Sequence, residues 1–166
     1  YLLGYAISQL FYGPLSDKFG RRPIMMLGTL MFIIGSLVCI FSLSIEVLIA
    51  GRFLQALGAC AGNVLSPAIV RDAFTEEERP RTYAKIMMAY ALGPVLGPII
   101  GSILITFFTW HSNFILLLIL GITLLFFVHA MLIETNFNKN PLAMRPKQFF
   151  NNYGAIFKDP YCTAYM

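Results

Sequence analysis

Four long, mainly apolar stretches, Ile24 to Leu43, Val47 to Val70, Tyr83 to Phe108 and Asn113 to Ile133, follow a shorter one at Tyr1 to Leu15, with polar or basic turns between them. Each long stretch reaches the roughly 20 residues that a helix needs to cross a bilayer. In lipid every backbone N–H and C=O must find its partner inside the chain, and stretches of this length without the alternation of barrel strands do so only as helices. Composition agrees, with 58% hydrophobic and 12% charged residues and a mean hydropathy of +0.72, far from an ordinary water-soluble domain. The sequence specifies an all-α membrane bundle.

The first stretch is too short to span, and the chain opens on Tyr1 rather than on methionine. Residues 160–166 read as the start of a further spanning helix. The expectation is a fragment, cut within a helix at each end. No cleavable signal is visible. Cys39, Cys60 and Cys162 are isolated, lack metal-ligand spacing and read as small apolar packing groups.

Charge alternates from loop to loop. Lys18, Arg21 and Arg22, then Arg71, Arg79, Arg81 and Lys85, then Lys139, Arg145, Lys147 and Lys158 fall on one side, while Ser42 to Glu46 and Thr109 to Ser112 carry no Lys or Arg. The positive-inside rule makes the basic loops cytoplasmic and explains the net charge of +4 without any nucleic-acid partner. Trp110 and His111 then fall at the outer interface. Residues 134–159 read as a cytoplasmic linker, in which Phe149, Phe150, Tyr153 and Phe157 have the spacing of a short helix on the membrane surface. The uniformly apolar stretches 24–43, with Gly35, and 113–133 are expected to face lipid. The stretches 47–70 and 83–108 carry polar residues, glycines and prolines and are expected to line the interior.

The first basic loop reads Gly13-Pro14-Leu15-Ser16-Asp17-Lys18-Phe19-Gly20-Arg21-Arg22. Two glycines would bracket a tight turn, with Asp17 held among Lys18, Arg21 and Arg22. Such a cluster serves either as a topology anchor or as a charge clasp that forms in one conformation and opens in another. The run resembles the signature loop between the second and third helices of the major facilitator superfamily, with Pro14 at a variable position and Ser16 in place of a small alanine.

Apart from Lys85, at the basic edge of the fourth stretch, Arg52 is the one Lys or Arg inside a spanning stretch, where a charge needs a partner, water or a route to the interface. At 100° per residue it shares a face with Gln55, Asn63 and Ser66, while Gly51, Gly58 and Gly62 form a neighbouring face suited to a close helix contact. Cavity lining and snorkelling to the outer interface both fit Arg52. The run Arg52 to Gly58 resembles the superfamily's fourth-helix motif, whose arginine is associated with proton coupling. Arg71 and Asp72 read as an ordinary interfacial ion pair.

In the fourth stretch Gly93, Gly97 and Gly101 make one ridge and Pro94 and Pro98 the adjacent one. The prolines leave the carbonyls of Tyr90 and Pro94 without helix donors, bending the helix beside a ridge that a neighbour can approach closely. This pattern resembles the antiporter motif in fifth helices of drug-efflux members of the superfamily. Tyr1, Tyr5, Ser8 and Tyr12 share a face that either packs at an interface or stacks on a flat or cationic substrate. His129 and Glu134 are expected at the headgroup boundary.

The resemblances run from the second helix to the start of the seventh, and the wording around Phe11 to Asp17 and at Arg71-Asp72 is most similar to the bicyclomycin-resistance branch of multidrug efflux. They imply the N-terminal half of a twelve-helix transporter that works by alternating access and exchanges a small apolar or cationic compound for protons. Its remaining partners would be the lipid bilayer, a first helix and a C-terminal bundle, with no cofactor beyond the proton gradient and residence in a bacterial inner membrane. The rival readings are a symporter or uniporter for a sugar or metabolite, which would not need the Gly-Pro ridge, and a membrane scaffold. Neither a catalytic constellation nor an ATP-binding loop is evident, and no acid lies in the spanning stretches.

Overall fold

The structure, a computed structural model, describes residues 1–136, and all five elements in that range are α-helices: α1 (Leu2–Phe19), α2 (Arg21–Ile40), α3 (Ile45–Ala73), α4 (Arg79–Phe107) and α5 (His111–Met131). Helices α2 to α5 are long and apolar enough to cross a membrane. The surface helix and further span expected beyond residue 136, and Cys162, lie outside the described residues.

The helix ends follow local chemistry. Ser44 caps α3, its hydroxyl accepting from the Val47 N–H, with Glu46 in the first turn. Before α4 the Glu78 carboxylate accepts from the N–H and hydroxyl of Thr75, and Pro80 sits in the first turn, where no donor is required. The first basic loop differs most from expectation. α1 runs on through Pro14, Ser16 and Asp17 to Phe19, so Gly13 lies inside a helix, and the turn is Gly20 alone. Its φ of 109° belongs to the left-handed region that glycine tolerates. Charge had marked the loop, but it marks only where the helices leave the apolar layer.

The tightest seam joins α2 to α3. A Cβ on Gly58 would collide with the Gly28 carbonyl and the Phe32 backbone, one on Gly35 would lie 2.5 Å from the Gln55 nitrogen, and one on Gly51 2.8 Å from Cys39 Sγ. Two glycines on each helix let the backbones meet directly. Gly35 is therefore a buried contact and not a lipid-facing position, and α2, expected outside, buries Ile24, Met25, Thr29, Ile33, Ser36 and Cys39. Gly62 has nothing within 4 Å of its would-be Cβ, so the expected glycine face of α3 is close-packed only at Gly51 and Gly58. The core proper gathers Tyr12, Ile24, Met25, Cys60, Ala61, Leu65 and Val128.

Helix α5 behaves as expected, burying only Gly121 and Val128. Helix α4, expected to line the interior, buries none of its residues against the described chain. It is held by the Tyr83 hydroxyl, which donates to the Pro67 carbonyl of α3 at 3.1 Å, and by edge contacts with α5.

Candidate functional site

Where α1 meets α2, Arg21 is 4% exposed and its guanidinium is held from both helix ends. It pairs with Asp17 one turn back on α1 at 2.7 Å and, through Nε, with Asp72 at the end of α3 at 3.0 Å, and it donates to the Ser16 hydroxyl. A buried cation between two carboxylates is stable only because both partners are in place. The first turn of α2 holds no acid and Gly20 supplies no side-chain cap, so its N–H groups need an acceptor from elsewhere. Glu134, beyond the end of α5, provides it by accepting the Arg21 N–H at 2.8 Å. Asn136 donates to the carbonyls of Ser16 and Asp17, and Arg22 donates to the His129 carbonyl at 2.9 Å.

The clasp predicted around Asp17 thus centres on Arg21 and reaches two other helices and the chain after α5. Lys18 stays outside it, with its ammonium 4.9 Å from the Phe19 ring. Asp72 faces Arg21 more closely than Arg71, which stands 3.8 Å off with its side chain 65% exposed. Sequence reasoning placed Glu134 at the headgroups and overlooked its role. The available signal was a helix N-terminus that opens on two arginines with no acceptor of its own.

A second polar line crosses the α2/α3 seam nearer the other end. Arg52 Nη1 donates to Gln55 Oε1 at 2.6 Å, Gln55 Nε2 to the Ser36 hydroxyl at 2.8 Å, and Ser36 to the Phe32 carbonyl. Gln55, expected in a cavity, is 0% exposed and bridges two helices. The Arg52 guanidinium lies over the rings of Tyr1, at 4.5 Å, and Phe114, at 5.7 Å. Aromatic faces and an amide hold this cation, with no carboxylate partner among the described residues. Asn63 is half-buried on α3, and Ser66 satisfies itself on the Gly62 carbonyl.

Of the substrate-cavity candidates on α1, Tyr5 is partly exposed and stacks on Tyr1 with centroids 6.4 Å apart. Ser8 and Tyr12 are buried and border an apolar cleft of about 190 Å³, the Ser8 hydroxyl being spent on the Gly4 carbonyl. On α4 no described atom lies within 4 Å of a Cβ built on Gly93 or Gly97, and one on Gly101 would be 3.7 Å from Asn113. Pro94 and Pro98 stand inside the helix as expected, but the helix neighbour predicted for the ridge is not among the described residues.

The model of the Major Facilitator Superfamily matches residues 1–166, the whole of the sequence. The chain belongs to this superfamily. Membership places it among transporters rather than enzymes. Among relatives, the uncharacterized MFS-type transporter YdgK of Bacillus subtilis (strain 168) is 41% identical over 136 residues, covering 81% of this chain and 34% of its own length. Multidrug resistance protein D of Escherichia coli (strain K12) is 31% identical over all 166 residues, and the Haemophilus influenzae bicyclomycin resistance protein homolog is 31% identical over 163, in each case over 41% of the relative. The human organic anion transporter MFSD10 (TETRAN) superposes with a TM-score of 0.74 at 26% identity, over 90% of this chain and 36% of that one. The chain thus spans about a third to two-fifths of the length of these superfamily members, and its helices are those of an integral multi-pass membrane protein.

Proposed function

We propose that this chain is the N-terminal part of a proton-driven exporter of drugs or other small apolar or cationic compounds, acting by alternating access in a bacterial inner membrane with its basic helix ends in the cytoplasm. The observation that carries the reading is the contrast between an Arg21 clasp that ties α1, α2, α3 and the chain after α5 together and a Gly-Pro ridge on α4 that no described helix covers. A rigid unit with one bare, close-approach face is suited to rocking against another bundle. The multidrug and bicyclomycin resistance proteins among its relatives support the substrate class, and the charge pattern supports the sidedness.

A second reading has one observation in its favour. Arg52 is a cation at membrane depth without a carboxylate among the described residues, and the human relative is described as an organic anion transporter, so the cargo could be an anion exchanged or carried alone. Everted vesicles carrying the protein test both. Acidifying the lumen should drive ethidium uptake, and collapsing the pH gradient should stop it. Uptake of an anionic dye with no response to the pH gradient would replace the first reading by the second.

A further inference from the structure

Arg52 lies two turns into α3, where a cation is costly unless something replaces its hydration. One N–H is fixed on Gln55 Oε1 at 2.6 Å. A planar guanidinium pinned at one nitrogen can still swing about that bond. The swing is stopped by ring faces from two other helices: Tyr1, at the start of α1, 4.5 Å from the guanidinium carbon, and Phe114, in the first turn of α5, 5.7 Å from it.

Phe114 is the informative member of the pair. Helix α5 packs on α2 and, at its edge, on α4, so a ring lying on Arg52 carries α5 across to α3 at this end of the bundle. The plane of that ring is itself fixed. Trp110 meets it edge to face, with centroids 6.0 Å apart and an interplanar angle of 88°, and Trp110 packs in turn on His111 at 3.7 Å. Phe114 belongs to a stretch that reads as uniformly apolar and lipid-facing, yet it is half-buried with its face toward a charge. Apolar burial has no direction, whereas the attraction of a cation depends on the charge carried by the ring face.

We propose that Phe114 is a positioning residue for Arg52: its face, with that of Tyr1, sets the direction of the guanidinium, and a movement of α5 relative to α3 is thereby passed to the cation. The inference deepens the transport reading and rests on it for the step in which Arg52 takes part. An aromatic face holds a cation by about fivefold at an exposed site and about thirtyfold when desolvated. An Arg52 that is correctly directed for only part of the time lowers the rate by that fraction, which sets the expected effect.

The test is a series of fluorinated phenylalanines at position 114 of the full-length transporter. Added fluorines withdraw progressively more charge from the ring face and leave its shape nearly unchanged. Uptake into everted vesicles, of ethidium or of the anionic dye, whichever they accumulate, should fall stepwise to about fivefold below the parent. Phe114→Leu should fall at least as far, and Phe114→Tyr should keep most of the rate. The same fluorine series at Phe126, which is 67% exposed on α5, should leave uptake unchanged. A second measurement does not depend on transport: the midpoint of thermal unfolding should drop with each fluorine at Phe114 in the parent protein and stay level in Arg52→Gln. Equal drops in the two backgrounds would overturn the clamp whatever the protein carries. A stepwise drop in the midpoint with unchanged uptake would overturn the positioning role and leave the rings a structural contact. Stepwise falls in both measurements support the proposal even where uptake ignores the pH gradient, an outcome that counts against proton drive alone.

Discussion

Glycines spaced along a helix occur twice in this chain and do opposite things. At the α2/α3 seam, Gly28, Gly35, Gly51 and Gly58 sit where any side chain would strike a neighbouring backbone or buried side chain. On α4, Gly93 and Gly97 face space that no described atom occupies. The same residue is a weld in one place and a bare running surface in the other. Packing density separates the two, since a close-packed interior transmits strain while an open face defers contact to something that can come and go.

The largest effect is expected from exchanging the two environments by mutation. Gly58→Leu puts a side chain into the Gly28 carbonyl and Phe32 backbone, beyond ordinary overpacking, and should cost about 3 kcal/mol or more and deplete the protein from the membrane several-fold. Gly97→Leu meets nothing described, so abundance should hold while efflux is lost, because the added volume blocks whatever approaches that ridge. Quantitative immunoblotting beside transport in the same vesicles checks both. Loss of the Gly97→Leu protein itself would erase the contrast between the regions, and undiminished efflux would leave the ridge without a role in coupling.

The same pair of regions shows what could be read from sequence. Spans and the candidate polar residues were legible because bilayer thickness and the cost of intramembrane charge act on single residues. Partner choice was not. Periodicity gives the faces of a helix but not which neighbour each one meets, so α2 was expected outside although Gly28 and Gly35 fit it against α3, and the neighbour expected for the α4 ridge is not among the described residues. The Arg21 clasp was half legible. Asp17 lies four residues away on the chain, whereas Asp72 and Glu134 come from sequence positions that only the fold brings near.

A smaller effect should separate the two acids of that clasp. Asp72, 20% exposed, tethers the end of α3 to a buried guanidinium, while Asp17, 47% exposed, makes a contact within one turn of chain. Breaking a buried pair costs about 3 to 5 kcal/mol when nothing compensates. Arg21 keeps Asp17 in Asp72→Asn, and the carboxylate is partly hydrated, so about 2 kcal/mol is the reasonable loss. Asp17→Asn should cost about 1 kcal/mol or less and leave abundance near normal while slowing transport. Thermal unfolding in detergent ranks the two, and equal destabilisation would show that the clasp holds the fold at both contacts instead of biasing a conformation at one.

The smallest effect concerns Gln55, where the welded seam meets the polar line to Arg52. Leucine has nearly the same volume, so Gln55→Leu leaves the close approaches at Gly35 and Gly51 intact and removes only two side-chain hydrogen bonds, from Arg52 at 2.6 Å and to Ser36 at 2.8 Å. Interhelical hydrogen bonds within a membrane average about 0.6 kcal/mol and rarely exceed about 1.7. Ser36 keeps the Phe32 carbonyl, so stability should fall by only about 1 kcal/mol, far less than at Gly58. Arg52, however, would keep only the faces of Tyr1 and Phe114 and lose the acceptor that fixes its direction. Efflux should therefore drop by more than abundance does, and Gln55→Glu, which restores an acceptor to Arg52, should recover part of it. If Gln55→Leu instead disappears from the membrane as Gly58→Leu is expected to, the amide belongs to the weld, and the polar line has no function separate from the packing that surrounds it.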